Sequence, residues 1–140
     1  MFGPGLLAIT LLAEALTAEA ATTRFVNASN AAPASPYTTW AGAAKRIQDA
    51  VDVAVAGDLI LVTNGFYATG GRVVYGAMTN RVAVNKAVTV GSVNGPEVTT
   101  ICGFQNPSGP NGNVAVRCVY LAAGASLSGF SLTNGAKRGD

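Results

Sequence analysis

The chain has no histidine, two cysteines and one tryptophan in 140 residues. Without His, and without a Cys-x-x-Cys pair, a zinc centre of ordinary composition has no ligand set. Charge is also scarce. Asp, Glu, Lys and Arg make up 11% of the chain, too thin for the dense basic patch with interleaved aromatics that a nucleic-acid surface carries. Lys45-Arg46 and Lys137-Arg138 are the basic pairs, and they are far apart in sequence. No apolar run reaches the length needed to cross a bilayer as a helix. These deficits exclude a membrane span and argue against nucleic acid and metal as partners.

Gly, Val, Thr and Asn are plentiful, a balance that favours short extended strands joined by many turns. The N-terminus differs from the rest. Leu6 to Leu12 is a brief apolar core, and Ala18-Glu19-Ala20 supplies the small-x-small pattern that signal peptidase requires. Residues 1–20 therefore read as a secretory signal, with cleavage after Ala20. Its removal takes away Glu14 and Glu19 and leaves five carboxylates against nine Lys plus Arg, a mild net +4. The expected location is secreted or on the cell surface.

In such a compartment Cys102 and Cys118 can form a disulfide across the Pro- and Gly-rich loop between them, worth about 3 kcal/mol by loop closure. Two separate buried thiols fit the sequence equally well.

Periodicity divides the remaining chain. Thr22 to Val26 alternates as a first strand, and Asn27 to Pro36 reads as a loop. Thr39 to Ala54 carries Ala43, Ala44, Ile47, Ala50, Val51 and Ala54 on one helical face, with Thr38 or Thr39 as N-cap and Gly57 beyond the end. Residues 21–58 thus form a strand, a loop and a capping helix. Residues 59–140 hold short β runs: Leu59–Val62, then Val82–Val90 with a corner at Asn85-Lys86, Val98–Cys102, Cys118–Leu121 and Leu127–Leu132 with a bulge at Gly129. Thr69 to Arg72 and Gln105 to Asn113 read as excursions. Asn64-Gly65, Asn94-Gly95 and Asn134-Gly135 each follow an apolar run, at spacings of 30 and 40 residues. A strand-then-turn phrase returning at such intervals marks a solenoid with one coil per repeat. The predicted fold is an all-β solenoid whose open end the amphipathic helix covers, stopping after about three coils.

Trp40-Ala41-Gly42-Ala43-Ala44-Lys45-Arg46-Ile47-Gln48-Asp49-Ala50-Val51 is followed by Ala56-Gly57-Asp58-Leu59-Ile60-Leu61-Val62 and Gly65-Phe66-Tyr67. With the coil phrases Val82–Val90 and Leu127–Leu132, this resembles the N-terminal cap and first coils of right-handed parallel β-helix proteins of the pectin-lyase-like superfold. It is nearest in kind to secreted bacterial repeat proteins of unassigned activity. The resemblance covers residues 24 to 135 and implies a groove on the outer face that binds acidic sugars.

Two functions follow as expectations. The preferred one is a non-catalytic module that binds polysaccharide or serves a structural or adhesive role, with Trp40, Tyr67 and Tyr75 as candidate sugar-stacking residues. The other is the N-terminal part of a polysaccharide lyase or glycoside hydrolase whose site lies in later coils. A hydrolase needs paired carboxylates, and a lyase of this superfold uses calcium held by clustered ones. Asp49 and Asp52 sit on the cap helix, Asp58 in a turn, and Glu97 stands alone, so no catalytic set and no cofactor is assigned. Arg72, Arg81 and Arg117 are candidates to face sugar acids. Arg138-Gly139-Asp140 matches an adhesion tripeptide that a chain end produces readily by chance. An open last coil is expected to favour self-association.

Overall fold

Short apolar runs punctuated by Asn, Gly and Pro are too brief for helices and instead pair as strands. In the computed structural model, which describes residues 3–5 and 7–137, these runs become β1 (Thr23–Val26), β2 (Leu59–Val62), β3 (Gly65–Tyr67), β4 (Arg72–Val73), β5 (Thr79–Val84), β6 (Thr89–Ser92), β7 (Thr99–Cys102), β8 (Val116–Leu121), β9 (Ser126–Ser128) and β10 (Ser131–Thr133). One helix, α1 (Ile47–Val53), lies between β1 and β2. Leu7, Ile9, Leu11, Leu12 and Leu16 of the N-terminal segment are all exposed. Arg138-Gly139-Asp140 lies outside the described residues.

The strands form three sheets, in the orders β1-β2-β6-β9, β10-β7-β3 and β4-β5-β8. Every pairing is parallel except β4 with β5. The chain visits the sheets in rotation, so β2, β3 and β5 are followed by β6, β7 and β8, and then by β9 and β10. Leu59 stands opposite Thr89 and Thr89 opposite Ser126, steps of 30 and 37 residues. Inward side chains therefore stack in columns: Ile60 on Val90 and Leu127, Tyr67 on Ile101 and Leu132, Val84 on Leu121. Ile60, Val84, Val90 and Ile101 are completely buried.

Register corrects the sequence reading at several points. Asn64 and Asn94 occupy the same corner, and the Asn94 amide donates to Asn64 Oδ1. Asn134 does not continue that corner. It follows β10, which pairs with β7, so it belongs to the next corner round. The residue facing Ser92 is instead Gly129, at φ +81, where a side chain would crowd Ser92. Gly129 thus turns the chain between β9 and β10 rather than forming a bulge in one strand. Arg72, expected in a loop, opens the β4–β5 hairpin.

The helix is also shorter than periodicity predicts. Residues 39–46 are not helical, because the backbone of Ala44 is taken up by β1. Ala44 donates to Phe25 O at 2.9 Å and accepts from Asn27 N–H at 2.8 Å. Tertiary pairing overrides local propensity here, although Ala43 and Ala44 are as buried as their pattern requires. Arg46, not Thr38 or Thr39, holds the N-cap position, with no side-chain cap.

The buried pair Arg24–Asp58 fastens this end of the stack. Arg24 sits in β1 opposite Ile60, above an apolar column, and is 7% exposed. Asp58 Oδ2 accepts from Arg24 Nε at 3.0 Å, pairs with Nη2 at 2.9 Å, and takes Val55 N–H at 3.0 Å. Its Oδ1 accepts Thr22 N–H at 2.9 Å. Burial acts to raise the Asp58 pKa, but the Val55 and Thr22 amides and the Arg24 guanidinium outweigh it, and the pKa is held below its ordinary 3.8. The group's stabilisation is therefore complete above pH 3.8 and is lost as pH falls through the lower folded-state value. Replacing Asp58 with Ala leaves a buried guanidinium uncompensated and should cost about 3–5 kcal/mol in urea unfolding at neutral pH. The loss should shrink when the same comparison is made in acid, and equal losses at both pH values would contradict the assignment.

Candidate functional site

Each sheet has an edge on the side of β1 and α1, and what meets each edge shapes the surface there. β1 is closed by Phe25 N–H, which donates to Tyr37 O at 2.8 Å, and by its bonds with Ala44. β5 is closed in part by β4 and in part by a side chain. Gln48 of α1 accepts Ala83 N–H at 2.7 Å and donates to Ala83 O at 3.2 Å, as a neighbouring strand would. Either group left buried and unpaired would cost about 1–3 kcal/mol. Lys86 Nζ fixes the other end of the helix by donating to Ala54 O at 2.8 Å.

The edge of β3 is different. It borders a cleft of ≈ 530 Å³ whose lining includes Ala28 of the loop after β1, Lys45, Arg46 and Asp49 at the start of α1, and Phe66 and Thr69. Lys45 and Arg46 are exposed, and Phe66 is 62% exposed. The basic pair was visible in sequence, as was Gly65-Phe66-Tyr67. Nothing in the sequence said that the two phrases border one cleft, because the intervening chain first turns through α1 and β2.

The candidate stacking residues are not brought together. Trp40 lies beside β1, 42% exposed, with its ring 4.5 Å from that of Phe25 and tilted by 51°. Tyr67 is 4% exposed, and its hydroxyl donates to Thr63 O at 2.8 Å. Burial pushes its pKa up to about 12, against an opposing hydrogen bond from the Ala28 backbone. Tyr67 therefore fills the interior below the cleft, and the sugar-stacking expectation is corrected for it, because its ring has no open face. Tyr75 is open and packs edge-on against Tyr120, with centroids 5.6 Å apart and hydroxyls 3.3 Å apart.

The charged candidates are largely committed. Asp52 binds Arg72 at 2.7 Å and accepts from Gln48 Nε2 at 2.8 Å. Asp58 belongs to the buried pair, and Glu97 is exposed in the corner between β6 and β7. Among the described residues no group of three or more His, Cys, Asp or Glu is placed to hold a metal ion. Arg81 does not face outward to a ligand. It donates to Cys102 O at 2.7 Å and to Gly70 O at 2.5 Å, tying β5 to β7 and to the loop between β3 and β4. Arg117 lines a shallower depression of ≈ 440 Å³ with Cys118, Leu132 and Lys137 at the opposite end of the stack.

Both cysteines are free thiols in this structure. Cys102 is buried in β7 and donates to Gly103 O, whereas Cys118 is half-buried in β8 and donates to Thr133 O at 3.2 Å. No family model, curated protein or solved structure matches this chain.

Thiol titration checks this placement. Native protein should release one equivalent quickly from Cys118, and the second from Cys102 only on unfolding. An unfolded, unreduced chain with no reactive thiol would show a disulfide instead.

Proposed function

We propose that this chain is a right-handed parallel β-helix module acting outside the cell, non-catalytic in these residues, that binds polysaccharide or presents a structural or adhesive surface. The carrying observation is the employment of its carboxylates. A hydrolase needs two carboxyl groups opposed across a substrate, and calcium-assisted chemistry needs several converging on one point. Asp58 is instead locked beneath Arg24, and Asp52 is held by Arg72 and Gln48. Their task is to hold the fold.

Rotation of the chain through three parallel sheets, inward columns and the Asn64–Asn94 amide contact support the β-helix reading. Parallel crossovers within one sheet are overwhelmingly right-handed, which supports the hand. The apolar, exposed residues Leu7 to Leu16 ahead of Ala18-Glu19-Ala20 support export with removal of residues 1–20. Self-association is supported at the far end. Leu121 and Leu132 are 44% and 52% exposed, at register positions where Val84 and Ile101 are wholly buried.

Purified residues 21–140 should bind members of a polysaccharide array without generating ultraviolet-absorbing unsaturated products or new reducing ends, with or without calcium. Sedimentation of the same sample should show species larger than the monomer. Product formation would overturn the non-catalytic reading, and absence of any binding would leave only the structural role.

A further inference from the structure

We propose that the free edge of β3, in the cleft beside Lys45 and Arg46, is a docking site for an extended peptide segment bearing an acidic side chain. The backbone carries the first part of the case. Gly65 N–H donates to Val98 O at 3.0 Å, and β3 runs parallel to β7 with Phe66 opposite Thr100. Residues of a parallel strand alternate in the side they bond to. Phe66 therefore turns its N–H and C=O away from β7 and toward the cleft, and no hydrogen bond among the described residues takes up either group. The corresponding edges of the other two sheets are met by Tyr37 and Ala44, and by Gln48 and β4. This edge opens onto a cavity of ≈ 530 Å³, large enough for several residues of an added strand.

A donor and an acceptor on one strand residue are the recognition pattern of β-augmentation, in which main-chain bonds give affinity and side-chain subsites give selectivity. One ligand residue can exchange both bonds with Phe66, which a sugar ring does not offer at strand spacing. The cleft then sets the chemistry of the neighbours. Lys45 and Arg46 are exposed beside it, against the single carboxylate of Asp49, so the balance favours an Asp or Glu in the guest. The exposed Phe66 ring offers an apolar contact to the guest residue packed next to it. Because β3 has three residues, the guest is short. The plainer role for two cations beside a bare strand edge is to keep other chains away, and the experiment separates the two.

The test is an amide-resolved NMR titration of the full chain with the peptide acetyl-Val-Thr-Glu-Val-Thr-amide. The Phe66 amide should shift and gain protection from exchange. N-methylation of the central Glu, its replacement by Lys, or the exposed double substitution K45E/R46E should each weaken binding about tenfold or more. Circular dichroism of K45E/R46E should match the parent, since neither side chain is buried. An unmoved Phe66 amide at millimolar peptide would overturn the proposal in favour of charge protection. So would equal binding of the N-methylated peptide. Trigalacturonate occupying the cleft where the peptide does not would assign it to a saccharide.

Discussion

A guanidinium at an inward position of a β sheet dictates much of what surrounds it. Arg24 stands at the head of the column that continues through Ile60, Val90 and Leu127. Buried there without a partner it would be prohibitive, and Asp58 is the partner. The carboxylate also gathers Thr22 N–H and Val55 N–H, while Arg24 Nη1 reaches Pro36 O at 2.8 Å. Four stretches of chain, the start of β1, the loop after it, the turn after α1 and the entry to β2, are thus fixed to one point. An apolar pair of similar volume could fill the space, but it would not satisfy those backbone groups. The pair serves less to add net stability than to set where the stack begins.

With that end fixed, α1 lies along the edge of β5, and its Gln48 amide substitutes for a missing strand. The helix shields an edge that would otherwise invite pairing with another chain. The same arrangement leaves β3 uncovered. Tyr67 plugs the interior under Ala28, and Lys45 and Arg46, which lead into α1, line the same cleft as Phe66. The cleft follows from how three unlike devices meet three sheet edges: a bridging loop, a helix with an amide, and for the third a buried tyrosine under Ala28.

Much of this was legible from residue order. Apolar runs at Leu59, Val98 and Cys118 are strands because they are short and bounded by turn residues, although the last begins two residues earlier, at Val116. The equivalence of Asn64 and Asn94 was also readable. Asn134 misled, since the Asn-Gly phrase describes a local turn and says nothing of which corner of the stack it serves. The helix start misled for a related reason: Ala41 to Ala44 suits a helix locally, but the β1 backbone competes for the same amides and wins. Trp40, Tyr67 and Tyr75 are alike in composition, yet one packs on Phe25, one is core and one pairs with Tyr120.

By itself the sequence determined the identity of most strands, a mainly parallel all-β character and a dearth of titratable chemistry. Those properties depend on local patterning, turn residues and composition, which need no partner at a distance. Tertiary structure decided which charges are spent and which are free. It placed Asp58 under Arg24 across 34 positions, set the Gln48 amide on Ala83 across 35, and brought Arg46 into the lining of one cleft with Phe66. Such meetings depend on the register and corner lengths of successive passes. A single-residue slip there would send every inward side chain to solvent, so the packing of the whole stack fixes them together.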